Sequence, residues 1–479
     1  MRLSELAGET VTPDPTIVGL TADSRRIKKG YLFAAMPGYA EDGAKYIPQA
    51  EELGAAAILA RPDAVTNLPL IADVEPRRRF AQMASRFYPR QPAFIAGVTG
   101  TNGKSSTVVF AEQLWTALGR KAGSIGTLGA HGAGFSRALA HTTPEPATLH
   151  EILSQMTDAD ISAAAMEVSS HAIAQYRADG VRFSCVAFSN ITQDHLDFHS
   201  DFNEYFDAKA RLFRQLAPPD VPVVVNRGGA GANKIIDVVQ RRGMRIIETG
   251  IGAHDVSLNN VEPTPTGLRI AVEASGARFN LTVPLVGSFQ AENALLAVGI
   301  VIAAGHSARE VVPLLETLKG APGRMQHIDS VADAGVYIDY AHTPDAVATA
   351  LDAIRPHARG RVIAIIGAGG DRDQAKRPLM GRAASEHADF VIVTDDNPRS
   401  EDPAMIRKQI MSGSKRAKNI GDRRTAINAG VDQLEAGDVL LIMGKGHETG
   451  QQVGGQISPF DDALEAQLAI DRRAQEVGR

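Results

Sequence analysis

Apolar residues in this chain come in short blocks that end at glycine-rich or polar turns, and stretches of helical period lie between them. Phe94-Ile-Ala-Gly-Val98 is one such block. A glycine-rich turn follows it, and then Val108, Phe110, Ala111 and Leu114 recur at helical spacing. Further blocks at 161–166, 181–188 and 221–225 predict strands with helices between them. Residues 89–320 therefore read as an α/β domain with a mostly parallel sheet. Its last long element, 287–304, is an apolar helix starting near Gln290. The alternation repeats over 321–479, with strands at 336–340, 362–366, 390–394 and 439–443 and helices that include 345–354 and 405–411. That pattern predicts a second, doubly wound (Rossmann-like) α/β domain. Its polar motifs follow Tyr340, Ile366, Thr394 and Met443, at the carboxyl ends of strands where such sheets bind ligands. Residues 1–88 hold shorter strand-like pieces, and Pro76-Arg-Arg-Arg79 opens what reads as a surface helix. Gln91-Pro92 marks a linker.

A length of 479 residues suits two to four domains. The net charge of -5 supplies no global basic field, so nucleic acid and anionic membrane surfaces are not expected partners. A single cysteine, Cys185, rules out an internal disulfide, and its apolar setting predicts a buried strand thiol. No uncharged stretch is long enough to span a bilayer, and the first residues lack the apolar core of a secretory signal. A cytoplasmic location is the default expectation.

The strongest local chemistry is Gly97-Val-Thr-Gly-Thr-Asn-Gly-Lys-Ser-Ser106, set between a predicted strand and a predicted helix. Backbone N–H groups of such a loop, with the helix N-terminus, cradle phosphate. Lys104 would neutralise phosphate charge and the Ser105 hydroxyl would face magnesium. Position 98 is valine where the commonest phosphate loop has glycine, and the glycines at 97, 100 and 103 are spaced by three. A chance Gly-Lys-Ser is common; one framed by a strand, three glycines and a helix favours nucleotide binding over a plain turn.

Further motifs accompany this loop in a fixed order. They are Met166-Glu-Val-Ser-Ser-His171, Asp194-His-Leu-Asp-Phe-His199, Gly287-Ser-Phe-Gln-Ala-Glu-Asn293, Pro322-Gly-Arg324, Asp339-Tyr-Ala-His-Thr-Pro344 and Gly444-Lys-Gly-His-Glu448, with Asp23-Ser-Arg25 and Asp42-Gly43 ahead of them. The series resembles the Mur ligase family, which also includes folylpolyglutamate synthetases, over nearly the whole chain. The resemblance implies three α/β domains: a UDP-sugar-binding domain at 1–88, a central P-loop ATPase-like domain at 89–320 and a C-terminal amino-acid-binding domain at 321–479.

The resemblance also implies roles. Gly100, Thr101, Asn102, Gly103, Lys104, Ser105, Ser106, Asn293, Arg324, Asp339 and His342 would contact ATP. Ser105, Glu167 and His195 would serve Mg2+, together with Lys209 as a carbamate formed with CO2. Lys104, Glu167, His195 and Lys209 would be the catalytic set. Read alone, Lys209 is a solvated helix lysine, and Glu167 or His195 is an ordinary polar residue. Carbamylation needs the neutral amine, whereas a free lysine has a pKa of about 10.4. Gln290 stands where the family often has asparagine. Ser24, Thr142, Thr143, Ser169, Gln175 and Arg177 would hold the UDP substrate; Arg177 alone reads equally well as a surface arginine.

Asp396-Asn-Pro-Arg399 resembles the signature of the diaminopimelate-adding branch. Diaminopimelate carries a carboxylate that lysine lacks, and an arginine can hold it through two parallel charge-assisted bonds. Lysine would leave that arginine unpaired. By resemblance, Arg372, Asp396, Asn397, Arg399, Gly444 and Glu448 form this site, although Asp-Asn-Pro-Arg is also a turn after a strand. The expected activity is ATP-dependent ligation of meso-diaminopimelate to UDP-N-acetylmuramoyl-L-Ala-D-Glu, by a monomer. Rival readings are a lysine-adding or other amino-acid ligase of the family, and a non-catalytic nucleotide-binding relative. The segment Asn226-Arg-Gly-Gly229 stands where relatives often carry acidic residues.

Overall fold

The computed structural model describes all residues except 39–40, 193–197, 200, 415 and 478–479. They form two compact units, one of Met1–Glu248 with Gly299–His306, the other of Thr249–Val298 with Ser307–Arg479.

The first unit contains two sheets. A small parallel sheet runs in the order Gly19–Thr21, Tyr31–Ala34, Ala57–Ala60, Leu70–Ala72. Helix Pro76–Phe87 covers it, with Phe80, Met83 and Ala84 packed among Leu3, Leu6, Leu32 and Leu59. Of its arginines Arg78 and Arg86 are exposed and the others half-buried; Arg79 and Arg86 each donate to the Ala7 carbonyl (2.8 and 2.6 Å). The central sheet runs Val223–Asn226, Cys185–Phe188, Phe94–Thr99, Ala163–Glu167, Ala122–Gly126, all parallel. Two antiparallel strands, Gly129–Gly132 and Phe135–Arg137, extend its edge. The register pairs Phe188 with Thr99 and Val98 with Glu167. Three strands therefore end side by side, and their following loops share one rim. The predicted strand at 181–188 begins only at Cys185. Upstream of it, the Arg182 N–H is taken by the buried Gln91 side chain (3.1 Å) rather than by a neighbouring strand.

The second unit opens with an antiparallel meander, Val256–Thr264, Gly267–Ala274, Ala277–Val283, which the sequence reading did not anticipate. Its six-stranded sheet runs Gln326–Val331, Ala334–Asp339, Val439–Met443, Val362–Ile366, Phe390–Val393, Lys418–Asn419, antiparallel only at the first pair. Side-chain alternation along Val362–Ile366 decides the layering. Val362, Ala364 and Ile366 pack with Val347, Leu351, Met380 and Ile410 on one face, while Ile363 and Ile365 pack with Ile427, Val431 and Ala466 on the other. That is the doubly wound arrangement expected. A hairpin, Gly450–Val453 with Gln456–Pro459, follows the last central strand. His357 ties the meander to the sheet: its Nε2 accepts the Gly287 N–H (3.1 Å) and its Nδ1 donates to the Thr264 carbonyl (2.7 Å). Among the described residues, no helix is long and apolar enough to cross a membrane.

Candidate active site

The loop at 100–103 leaves the buried strand Phe94–Thr99 and enters helix Lys104–Ala117. Gly100 is required by close approach, since a Cβ there would lie 1.9 Å from Ser189 Oγ. Gly103 caps the helix with φ 83°, a conformation glycine adopts readily. The first intrahelical bond runs from the Thr107 N–H to the Gly103 carbonyl (2.9 Å), so the N–H groups of the first turn lie outside the helix ladder. Such an end attracts phosphate. The loop is fastened from behind. Thr101 N–H donates to the Asn190 carbonyl (2.8 Å), Asn102 N–H to Asn190 Oδ1 (3.0 Å) and Ser189 Oγ to the Asn102 carbonyl (2.6 Å). Thr101 Oγ1 also meets the Tyr205 hydroxyl at 2.9 Å. Lys104 Nζ folds back onto the carbonyls of Gly100 and Thr101 (both 2.8 Å). Ser106 is buried on the same helix.

Glu167 closes its strand beside this loop and is 1% exposed. Its Oε1 accepts from Ser105 Oγ (2.9 Å) and Thr127 N–H (2.8 Å), and its Oε2 from Thr127 Oγ1 (3.3 Å). Gly126 makes room for it, because a Cβ there would lie 2.1 Å from Oε1. Lys209, on helix Phe202–Arg211, is 1% exposed, against the bland expectation of a solvated lysine. Its Nζ donates to the Gly100 carbonyl (2.7 Å) and lies 4.6 Å from the centre of the Tyr205 ring. Lys104, Ser105, Glu167 and Lys209 thus converge on one loop. His195 lies outside the described residues.

The network continues toward the residues expected for the UDP substrate. Thr142 Oγ1 meets Thr127 Oγ1 at 3.0 Å. Thr143 Oγ1 donates to the Glu167 carbonyl (2.9 Å) and accepts the Ser169 N–H (3.1 Å). Arg177 donates to the Thr143 carbonyl (3.2 Å) and to Gln175 Oε1 (2.7 Å), and pairs with Glu145 at 2.9 Å. Its side chain is 12% exposed, so it is no surface arginine. Ser24 sits elsewhere, on the turn Ser24–Arg26 of the small sheet, where Asp23 grips the Arg25 guanidinium through both oxygens (2.9 Å each).

The second unit gathers two sets. Asn293 donates to Gln290 Oε1 (3.0 Å) and Gln290 Nε2 to the Arg324 carbonyl (3.2 Å). Gln290 therefore braces Arg324 from within. The Arg324 guanidinium lies 4.6 Å over the Tyr340 ring. Asp339 accepts the N–H groups of Met325 (2.9 Å) and Ala341 (2.8 Å), so it does cap its strand end. His342 Nδ1 lies 2.8 Å from the Tyr340 carbonyl, and burial lowers its pKa. A Cβ on Gly323 would lie 2.3 Å from the His447 nitrogen, so this turn abuts the Gly444-to-Glu448 loop.

In the other set, Asn397 Nδ2 donates to Glu448 Oε2 (2.7 Å), and Asn397 Oδ1 accepts the Gln452 N–H (2.9 Å). Asp396 Oδ1 accepts the Asn397 N–H (2.7 Å); a Cβ on Gly444 would lie 2.5 Å from its Oδ2. Arg399 holds φ 53° and donates to the Gly370 carbonyl (2.7 Å). Arg372 is exposed in the neighbouring loop, short of helix Lys376–His387. Lys445, fully buried, reaches Glu448 at 3.6 Å. Sequence reasoning missed Gly126, Thr127, Ser189, Asn190, Tyr205, Lys445 and the hairpin residue Gln452. Only Lys445 lay inside a motif; the others are joined to the site by long-range pairing.

A glycine-rich loop at a helix N-terminus, a buried carboxylate beside it and, in the second unit, paired cationic and anionic side chains are features of a nucleotide-dependent enzyme. The chain matches the Mur ligase family catalytic domain over residues 16–88, the Mur ligase middle domain over 98–301 and the Mur ligase glutamate ligase domain over 323–446. It is 44% identical to the UDP-N-acetylmuramoyl-L-alanyl-D-glutamate--2,6-diaminopimelate ligase of Caulobacter vibrioides, covering 98% of this chain and 99% of the relative. The protein of the same name in Bradyrhizobium diazoefficiens is 43% identical over the same shares. A solved structure bearing that name superposes with a TM-score of 0.74 at 30% identity, covering 99% of both chains. The chain belongs to the Mur ligase family.

Proposed function

We propose that this chain is an ATP-dependent, amide-bond-forming ligase that adds meso-2,6-diaminopimelate to the D-Glu γ-carboxylate of UDP-N-acetylmuramoyl-L-Ala-D-Glu in peptidoglycan synthesis. One observation carries the acceptor choice. The Asp396-to-Arg399 loop sets the Asn397–Glu448 pair, joined at 2.7 Å, two residues from the Arg399 guanidinium. An anion for an ammonium group and a fork for a carboxylate suit a diamino diacid. The relatives carrying that substrate in their names support the same reading.

In this mechanism the γ-carboxylate attacks the terminal phosphorus of ATP, ADP leaves, and an acyl phosphate forms. The amine of diaminopimelate then attacks the acyl carbon and phosphate departs. Lys104 and the first-turn N–H groups hold phosphate charge; catalysis comes from placement and charge neutralisation. Mg2+ fits the hard oxygens of Ser105 and Glu167, and it would screen the phosphates and polarise the transferred phosphoryl group. His195 would join it, as would Lys209 after carbamylation.

Residues 1–88 would bind the UDP-sugar through Ser24, with Thr142, Thr143, Ser169, Gln175 and Arg177 completing that site. Residues 89–320 would bind ATP, with Asn293, Arg324, Asp339 and His342 as further contacts, and residues 321–479 would take diaminopimelate. The protein works in the cytoplasm as a monomer. The test is phosphate release from ATP with UDP-N-acetylmuramoyl-L-Ala-D-Glu, comparing meso-diaminopimelate with L-lysine. Release only with diaminopimelate is expected. Release with lysine instead would keep the ligase and remove the acceptor assignment; release with neither points to a non-catalytic relative.

A further inference from the structure

We infer that the ion pair between the buried Arg377 and the half-buried Glu401 positions Arg399, and through it sets discrimination between acceptor amino acids with and without a second carboxylate. The inference rests on the acceptor reading above. Arg377 lies in the first turn of helix Lys376–His387 and is fully buried. Its guanidinium reaches Glu401 as a fork, both bonds at 2.8 Å. The same fork donates to the Gly369 carbonyl (3.1 Å), and Glu401 Oε1 also accepts the Asp371 N–H (2.6 Å). One ion pair therefore ties the loop after Val362–Ile366 to the loop after Phe390–Val393.

Arg399 stands inside that tie. Gly370 N–H donates to the Asn397 carbonyl (2.9 Å), and the Arg399 guanidinium donates back to the Gly370 carbonyl (2.7 Å). The hairpin holds the backbone of Arg399 on both sides: its N–H donates to the Gln452 carbonyl (3.0 Å), and its carbonyl accepts the Gly454 N–H (2.7 Å). With φ 53°, Arg399 is in a conformation that a non-glycine residue keeps only when its surroundings impose it. Clearance is equally tight, since a Cβ on Gly369 would lie 2.6 Å from the Arg399 guanidinium.

Stability alone is a poor account of the pair. Arg377 is fully buried with its Nε lacking a hydrogen-bond partner, a desolvation cost that an apolar side chain of the same volume would not carry. What an apolar pair could not do is fix two loops in register. Arg377 and Glu401 are positioning residues, because neither would touch the acceptor.

The experiment compares E401Q, R377K and G369A with the wild-type protein in the phosphate-release assay, varying each of the three substrates in turn. G369A keeps both members of the ion pair and places its methyl against the Arg399 guanidinium. We expect E401Q and G369A to raise KM for diaminopimelate by about tenfold or more, with KM for ATP and for the UDP substrate unchanged. The preference for diaminopimelate over lysine should narrow by the same factor, and R377K should lie between them and wild type. Unchanged preference in E401Q would overturn the inference whatever G369A does, as would an equal rise in KM for all three substrates, the mark of general loosening. Failure of the wild-type protein to use diaminopimelate at all would instead overturn the acceptor reading and this inference with it.

Discussion

Replacing Gly126 by alanine isolates the buried carboxylate of Glu167 without touching a polar group. The new methyl would start 2.1 Å from Glu167 Oε1, and ordinary contact begins near 3.4 Å, so the carboxylate must retreat by about 1.3 Å. The bonds from Ser105 Oγ and Thr127 N–H, now 2.9 and 2.8 Å, cannot survive a shift of that size. Glu167 is 1% exposed, so water does not readily replace them. Hydrogen bonds to a charged group are worth roughly 1.5–3 kcal/mol each, and partial relaxation would leave a net loss of about 3 kcal/mol. Activity should fall by about 100-fold, because a group near the reacting phosphate is displaced by more than 1 Å. The assay is phosphate release at rising Mg2+, with a thermal melt alongside. G126A should melt lower and need more Mg2+. Wild-type activity with wild-type Mg2+ dependence would refute the placement of Glu167 at the metal.

Three further outcomes follow from the same geometry. Substituting Arg399 by alanine should weaken use of diaminopimelate by roughly 100-fold, from loss of about 3 kcal/mol of charge-assisted bonding, in the same release assay; an unchanged kcat/KM would remove Arg399 from the acceptor site. Lys209→Met should abolish turnover. Bicarbonate depletion should slow the wild-type protein reversibly, with isotope-labelled bicarbonate giving a carbamate NMR signal absent from the variant; turnover indifferent to bicarbonate would exclude the carbamate. His150, fully buried beside Gln91, has its pKa pushed down from 6.5 to about 4, chiefly by burial. The unfolded chain therefore binds the proton first. The stability that neutral His150 contributes is complete above pH 6.5 and is lost as pH falls toward 4, by about 3 kcal/mol in all. Hydrogen exchange of helix Pro146–Asp158 should show that loss in the wild-type protein and a flatter profile in H150N.

Elements with a local signature were legible from the sequence. Strands Val362–Ile366 and Val439–Met443 fall where their apolar blocks do, because both faces are covered and every position is buried. The phosphate loop was legible because its glycines answer a backbone need within a few residues. The meander at 256–283 went unread although 268–274 and Ala277–Val283 alternate inward and outward positions as half-buried strands do; only Val256–Thr264 alternates weakly. The burial of Lys209 was hidden. Its helix carries Asp207, Lys209 and Arg211 in near succession, and only the fold turns one of the three onto Gly100. Gly126 and Glu167 meet across adjacent strands, 41 positions apart in the chain, so neither residue announces the other. The loops of the second unit were found as motifs, yet the Arg377–Glu401 tie beneath them reads in sequence as two ordinary surface charges.

The fastening of the phosphate loop has a consequence for how nucleotide is received. Thr101, Asn102 and Gly100 are held by Asn190, Ser189, Tyr205 and Lys209 through bonds made within the protein itself. The entropy of ordering that loop is therefore lost during folding and not at each encounter with ATP. Binding then becomes a matter of exchanging water for phosphate oxygens on a surface already shaped. Loosening the back of the loop, far from any atom of the ligand, would weaken affinity by handing that disorder back to the free state.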